Sequence, residues 1–129
     1  LLSAFGPNLI VTSPWARCFA TVEPYALKQK LTIIERGQLT EFGEAKGPQR
    51  TAKTLAKMLE EDRPAVICSH RPALPTILAG LANLGTTAQA QAVQAASTLE
   101  PGSMVVLHLA NKGQKRVIAG IELHSPLVD

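Results

Sequence analysis

At 129 residues the chain has the size of one ordinary domain, too short for two sizeable cores and long enough for one. Nearly half of it is hydrophobic and the charges almost balance at +3, which excludes a disordered segment and a basic nucleic-acid tail. No Lys/Arg block stands out and aromatics are scarce at 4%, so specific nucleic-acid binding is not expected. No apolar run approaches the ~20 residues that cross a bilayer, and no basic-then-apolar segment opens the chain. We therefore expect a protein without membrane attachment. Cys18 and Cys68 are far apart, with no CxxC and no metal-like Cys/His spacing. Reduced thiols in a cytoplasmic setting are the expectation.

Leu1, Leu2 and Phe5 stand at helical spacing before Gly6-Pro7, the way a helix ends. The chain is thus expected to begin inside a helix and to be a piece of a longer protein. Residues 9–14, "LIVTSP", read as a short strand closed by proline. Ser13 and Pro14 then offer a start for a helix, "WARCFATVEPYALKQ", which Pro24 can bend or interrupt. "LTIIE", 31–35, is a second strand, and 36–48, with three glycines and mixed charges, reads as a surface loop. Between Gln49 and Asp62, Ala52, Leu55, Ala56, Met58 and Leu59 form a helical apolar stripe. "PAVICS" is apolar at consecutive positions and predicts a strand buried on both faces. A helix from Pro72 to near Gly85, an alanine-rich helix over 87–97, and strands at 104–109 and 117–123 follow. The polar turn "NKGQK" predicts that the last two strands form a hairpin. Alternating strands and helices predict an α/β sandwich with a mostly parallel sheet.

In an open α/β sheet, ligands gather where strands run out into helix N-termini. Two such ends carry unusual cargo: "TSPWARC" sets Arg17 in the first helical turn, and "CSHRP" sets His70 at a strand end with Arg71 beside it. Arginine offers a bidentate fork and histidine a donor that can be charged, so a phosphate suits the pair. Taken singly, an arginine early in a helix serves as a surface ion-pair partner, and a strand-end histidine as a polar cap. Their joint occurrence is what points to an anion. Arg71 can bind the anion or brace the loop. His108 and His124 have no partner motif and read as structural or solvent-facing. There is no GxxxxGK[ST], no GxGxxG and no Cys-x5-Arg loop. Cys68, two residues before His70, can share its strand face, although a small packing residue is the simpler role.

"TSPWARCFATVEPYA" resembles the second conserved block of the histidine phosphatase (phosphoglycerate mutase-like) superfamily, a Ser-Pro-x-x-Arg-x-x-x-Thr pattern matched by Ser13, Arg17 and Thr21. "VICSHRPALPTIL" resembles a later block whose histidine matches His70. The ending, "LEPGSMVVLHLANKGQKRVIAGIELHSP", is similar to the close of that domain in actinobacterial two-domain mutator proteins, where a Nudix hydrolase domain precedes it. The resemblance covers nearly the whole chain and implies a three-layer α/β sandwich. It implies hydrolysis of phosphoric esters or anhydrides through a phosphohistidine, with nucleotides among the substrates. His70 and Arg17 would be catalytic, and Ser13, Thr21, Arg17 and Arg71 would bind substrate.

The first strand of such domains ends in Arg-His-Gly, and no such motif exists here. The nucleophile is therefore expected on a complementary N-terminal fragment of the same protein, which fills the gap left in the sheet. Proton delivery to the leaving oxygen falls to Glu41 as the best positional match, then Glu35 and Glu44. The Nudix box is absent, and no metal or other cofactor is expected. The competing class is a non-catalytic pseudophosphatase module that binds phosphorylated ligands. An unrelated Rossmann-like domain is disfavoured by the missing glycine fingerprint.

Overall fold

The computed structural model describes residues 2–125, the side chain of Phe42 apart. The chain divides into two compact units, Leu1–Ala73 and Leu74–Asp129. The predicted N-terminal helix is present as α1, Leu2–Phe5, and Gly6 follows in the left-handed region at φ +60°, where a side chain would be strained. Leu1 itself lies outside the described residues.

The first unit is built on three parallel strands: β1 (Leu9–Thr12), β2 (Ile33–Glu35) and β3 (Ala65–Cys68), in the order β2-β1-β3. All four residues of β1 are buried. Ile10 is fully inaccessible, and burying such a side chain is worth about 1.5–3 kcal/mol. Between β1 and β2 runs α2, Ala16–Gln29. Its residues Cys18, Val22 and Ala26, four apart, are the buried stripe. Val22 and Ala26 pack with Ile10, Ile33, Val66 and Cys68. Pro24 does not interrupt α2; it lies on the exposed side, where water can satisfy the carbonyl that loses its donor. The helix stops at Lys30, left-handed at φ 56°, whose N–H donates to the Leu27 carbonyl while Leu31 N–H donates to that of Ala26. This is a Schellman arrangement without its usual glycine.

Two expectations need correction. The segment 36–48 is not a loop: it holds a 3-10 turn, Gly37–Leu39, and a helix α3, Glu41–Lys46. Thr40 starts that helix, its Oγ1 accepting from Gly43 N–H at 2.8 Å. Gly43 is needed because the turn lies against it: a Cβ there would stand 2.1 Å from the Gly37 carbonyl oxygen. Gly47 and Pro48 then open α4, Pro48–Glu60, with Thr51, Leu55 and Met58 buried. The second correction concerns β3, which is not buried on both faces. Ala65 is exposed and the next three residues are half-buried, because among the described residues β3 pairs on one side only, with β1. The doubly buried strand is β1.

In the second unit, α5 (Leu74–Ala82) and α6 (Thr87–Ala95) accompany an antiparallel hairpin of β4 (Met104–Lys112) and β5 (Lys115–His124). The hairpin is as predicted, with a tighter turn, Gly113-Gln114, and a register shift between His108 and Leu109. Leu78, Ala82, Val93, Ala96 and Ile118 form its core. A capping box of Thr86 and Gln89 starts α6. The fold is thus mixed α/β, with a parallel three-stranded sheet and an antiparallel pair. Among the described residues no helix is long and apolar enough to cross a membrane.

Candidate anion-binding site

Strands β1 and β3 are parallel neighbours in register from Leu9–Ala65 to Thr12–Cys68, so Ser13 and Ser69-His70 leave the sheet at one level. Ser13 N–H still donates to the Cys68 carbonyl at 2.9 Å. One step on, Ser13 Oγ lies 2.9 Å from Nε2 of His70 and accepts from the Trp15 N–H at 3.2 Å. A hydroxyl both donates and accepts, so Ser13 engages Nε2 in either tautomer of the imidazole. The ring is thus held in orientation through Nε2. The Trp15 indole packs beside it, centroids 4.8 Å apart and planes tilted by 52°, while remaining 42% exposed.

Burial pushes the His70 imidazole below its usual range, the Glu41 carboxylate pulls it up, and the Arg17 guanidinium pushes it down. Both charged groups are therefore within electrostatic reach of the ring. Arg17 is exposed in the first turn of α2, and no carboxylate pairs with its guanidinium among the described residues. Thr21 Oγ1 donates to the Arg17 carbonyl at 2.8 Å, so this hydroxyl steadies the turn that carries the guanidinium. Glu41 is exposed at the head of α3. The 3-10 turn before it is tied down by two hydroxyls from elsewhere: Ser69 Oγ donates to the Leu39 carbonyl at 2.6 Å and Thr51 Oγ1 to that of Gln38 at 2.9 Å. The segments that follow β2 and β3 are thereby tied together.

Ser13 thus touches His70, the charges of Glu41 and Arg17 act on its ring, and Thr21 supports the turn that carries Arg17. Arg71 is exposed at the start of the turn Arg71–Ala73, next to His70 in the chain. Of the other expected carboxylates, Glu35 ends β2 and Glu44 lies within α3. His108 and His124 belong to the hairpin, where both flank Glu122. Two residues of the site were not picked out by sequence reasoning. Trp15 was seen only as the start of a helix. Cys18, rather than Cys68, approaches the imidazole, its Sγ 3.7 Å from His70 Nε2 and donating to the Ser69 carbonyl at 3.4 Å. The available signal was its four-residue spacing to Val22, which puts it on the helix face turned to the sheet.

The Ser13–His70 distance is that of a nucleophile and its base, but Ser13 is fully inaccessible, so its hydroxyl orients the ring and does not attack. What remains for a ligand is the Nδ1 edge of the imidazole, a guanidinium and a carboxylate whose charge reaches the ring, a set suited to an oxyanion that brings or needs a proton. Among the described residues no three or more His, Cys, Asp or Glu side chains are grouped to hold a metal ion. A scan against protein-family models finds none that matches the chain.

Proposed function

We propose that the chain is the larger part of a histidine phosphatase domain, a phosphoglycerate mutase-like three-layer α/β sandwich that hydrolyses phosphoric esters or anhydrides. The observation that carries this reading is the Ser13–His70 contact at the ends of two adjacent parallel strands, with the Arg17 charge acting on the ring. The attacking histidine comes from a complementary N-terminal segment of the same protein, whose strand pairs with the outer edge of β3. It displaces the leaving oxygen in line and becomes phosphorylated, and water then releases the phosphate. Arg17 and His70 hold the equatorial oxygens as charge develops, and Glu41 supplies the proton that the leaving oxygen takes up.

The half-exposed Trp15 ring beside His70 favours a substrate with a planar group to stack, a nucleotide before a sugar phosphate. A cytoplasmic setting keeps the free thiols of Cys18 and Cys68 reduced. The second reading is a module that binds phosphorylated ligands without turnover. It is favoured by the complete burial of Ser13, which leaves the hydroxyl paired with His70 unable to attack phosphorus.

Calorimetric titration with inorganic phosphate tests the site. Arg17→Ala and His70→Ala should each weaken binding by about 10–100-fold, the worth of one charge-assisted hydrogen bond. Unchanged affinity in both variants ends the assignment. Acid-labile phosphorylation of a histidine in the intact protein, given nucleoside diphosphates, separates the enzyme from the binding module.

A further inference from the structure

The two cysteines, 50 positions apart in the chain, meet beneath the anion site. Cys18 begins the α2 stripe that Val22 and Ala26 continue, and this stripe lies on the sheet face to which Val66 and Cys68 contribute. The thiol of Cys18 reaches the backbone of Ser69, the residue after Cys68. Each thiol is also near enough to the other to act on its ionisation. Both cysteines are free. We propose that Cys68 and Cys18 are a peroxide-oxidisable pair that closes reversibly into a disulfide under the anion site.

The roles follow from the surroundings. Cys68 is half-buried and Cys18 fully buried, so a small oxidant reaches Cys68 first. The neighbouring Cys18 thiol favours its thiolate and holds it below the usual thiol range, against burial. The Cys68 thiol and burial push Cys18 the other way, so it stays a protonated reserve. The Cys68 thiolate attacks hydrogen peroxide: an S–O bond forms, the O–O bond breaks, and hydroxide leaves to become water. Cys18 then attacks the sulfenic sulfur, an S–S bond forms and the S–O bond breaks. The departing hydroxide takes the proton of Cys18 and leaves as water. Two thiols lose two electrons and the peroxide becomes two waters.

The crosslink draws Cys18 from His70 and Ser69 and shifts the helical turn that carries Arg17. Its effect on phosphate rests on the function proposed above; the thiol chemistry does not.

The test treats the full chain with hydrogen peroxide and reads intact mass and free thiols without reductant. Expected are loss of both thiols, an intramolecular Cys18–Cys68 peptide, reversal by dithiothreitol, and at least about tenfold weaker phosphate binding. In Cys18→Ser, a sulfenic acid trapped by dimedone should persist on Cys68; in Cys68→Ser, Cys18 should remain unlabelled. Two thiols still open to alkylation after peroxide, crosslinks only between molecules, or dimedone on Cys18 in Cys68→Ser would overturn the pair. If the crosslink forms but the reduced protein binds no phosphate, the thiol pair stands and the phosphate site falls.

Discussion

Gly43→Ala probes what keeps the Glu41 charge within reach of His70. The added methyl would stand 2.1 Å from the Gly37 carbonyl oxygen and 2.9 and 3.0 Å from Gln38 Cα and the Gly37 carbonyl carbon. All three are backbone atoms, so no side-chain rotation relieves the overlap. Reaching even a close C–H···O separation of ~3.3 Å requires the turn Gly37–Leu39 to move by more than an ångström. Two effects oppose each other. Alanine is favoured over glycine in a helix by about 0.8–1.0 kcal/mol, whereas a methyl forced into a packed site costs about 1–3 kcal/mol. Moving the turn also strains the Ser69–Leu39 and Thr51–Gln38 hydrogen bonds, each worth about 0.5–1.5 kcal/mol. The overlap wins, leaving a net loss of about 2 kcal/mol. In urea unfolding followed by circular dichroism, the midpoint should fall by about 1–2 M at unchanged slope. His70 should titrate lower still, since it loses the Glu41 field that draws a proton to it. A variant as stable as the parent would refute the packing of the turn on α3 and the route by which Glu41 is positioned.

Burial holds the His70 imidazole low, so the folded state binds a proton less readily than the unfolded chain. Stability should rise as pH climbs through the imidazole range, and His70→Asn should flatten that rise in thermal melts from pH 5 to 8. Sulfate, whose charge is constant over this range, should raise the His70 titration midpoint in proton NMR; a midpoint unmoved by saturating sulfate would deny contact between anion and ring. Lys30→Gly should stabilise the chain by about 0.5–1 kcal/mol, because a left-handed residue closes α2 and glycine takes that conformation without strain. Hydrogen bonding from His108, assisted by His124, keeps the Glu122 carboxyl below its usual range. Its contribution is therefore present above the unfolded carboxylate range and lost as acid carries the pH through the lower folded value. Glu122→Gln should remove that acid sensitivity from hydrogen exchange in the hairpin, and an unchanged profile would count against the His108–Glu122–His124 cluster.

The sheet-forming runs were legible because their chemistry is local: "LIVT" buries as β1, the apolar run at 65–68 becomes β3, and "NKGQK" brackets the hairpin turn. The meeting of residues 13 and 70 followed from parallel strands ending together, a rule that needs no side-chain detail. The helix α3 was hidden by Gly43 and Gly47, which lower helix propensity; its marks were Thr40 before Glu41 and Pro48 after Gly47, caps that read as punctuation within a loop. The imidazole's neighbour was misplaced because the two-residue alternation was carried past Cys68, where the strand ends. Beyond that point Ser69 turns to Leu39 and His70 to Ser13, and the nearest thiol comes from α2. The exposure of β3 depended on how many neighbours the strand has, which its own four residues do not encode.

The one-sided pairing of β3 has a consequence for handling the chain at high concentration. Unsatisfied amides along an apolar strand recruit other molecules into ladders, yet here the recruiting length is only Ala65–Cys68, bracketed by Pro64 and Pro72. A proline at each side denies donors to any lengthening ladder. The exposed rim is therefore wide enough to welcome one short guest and too narrow to seed a fibril.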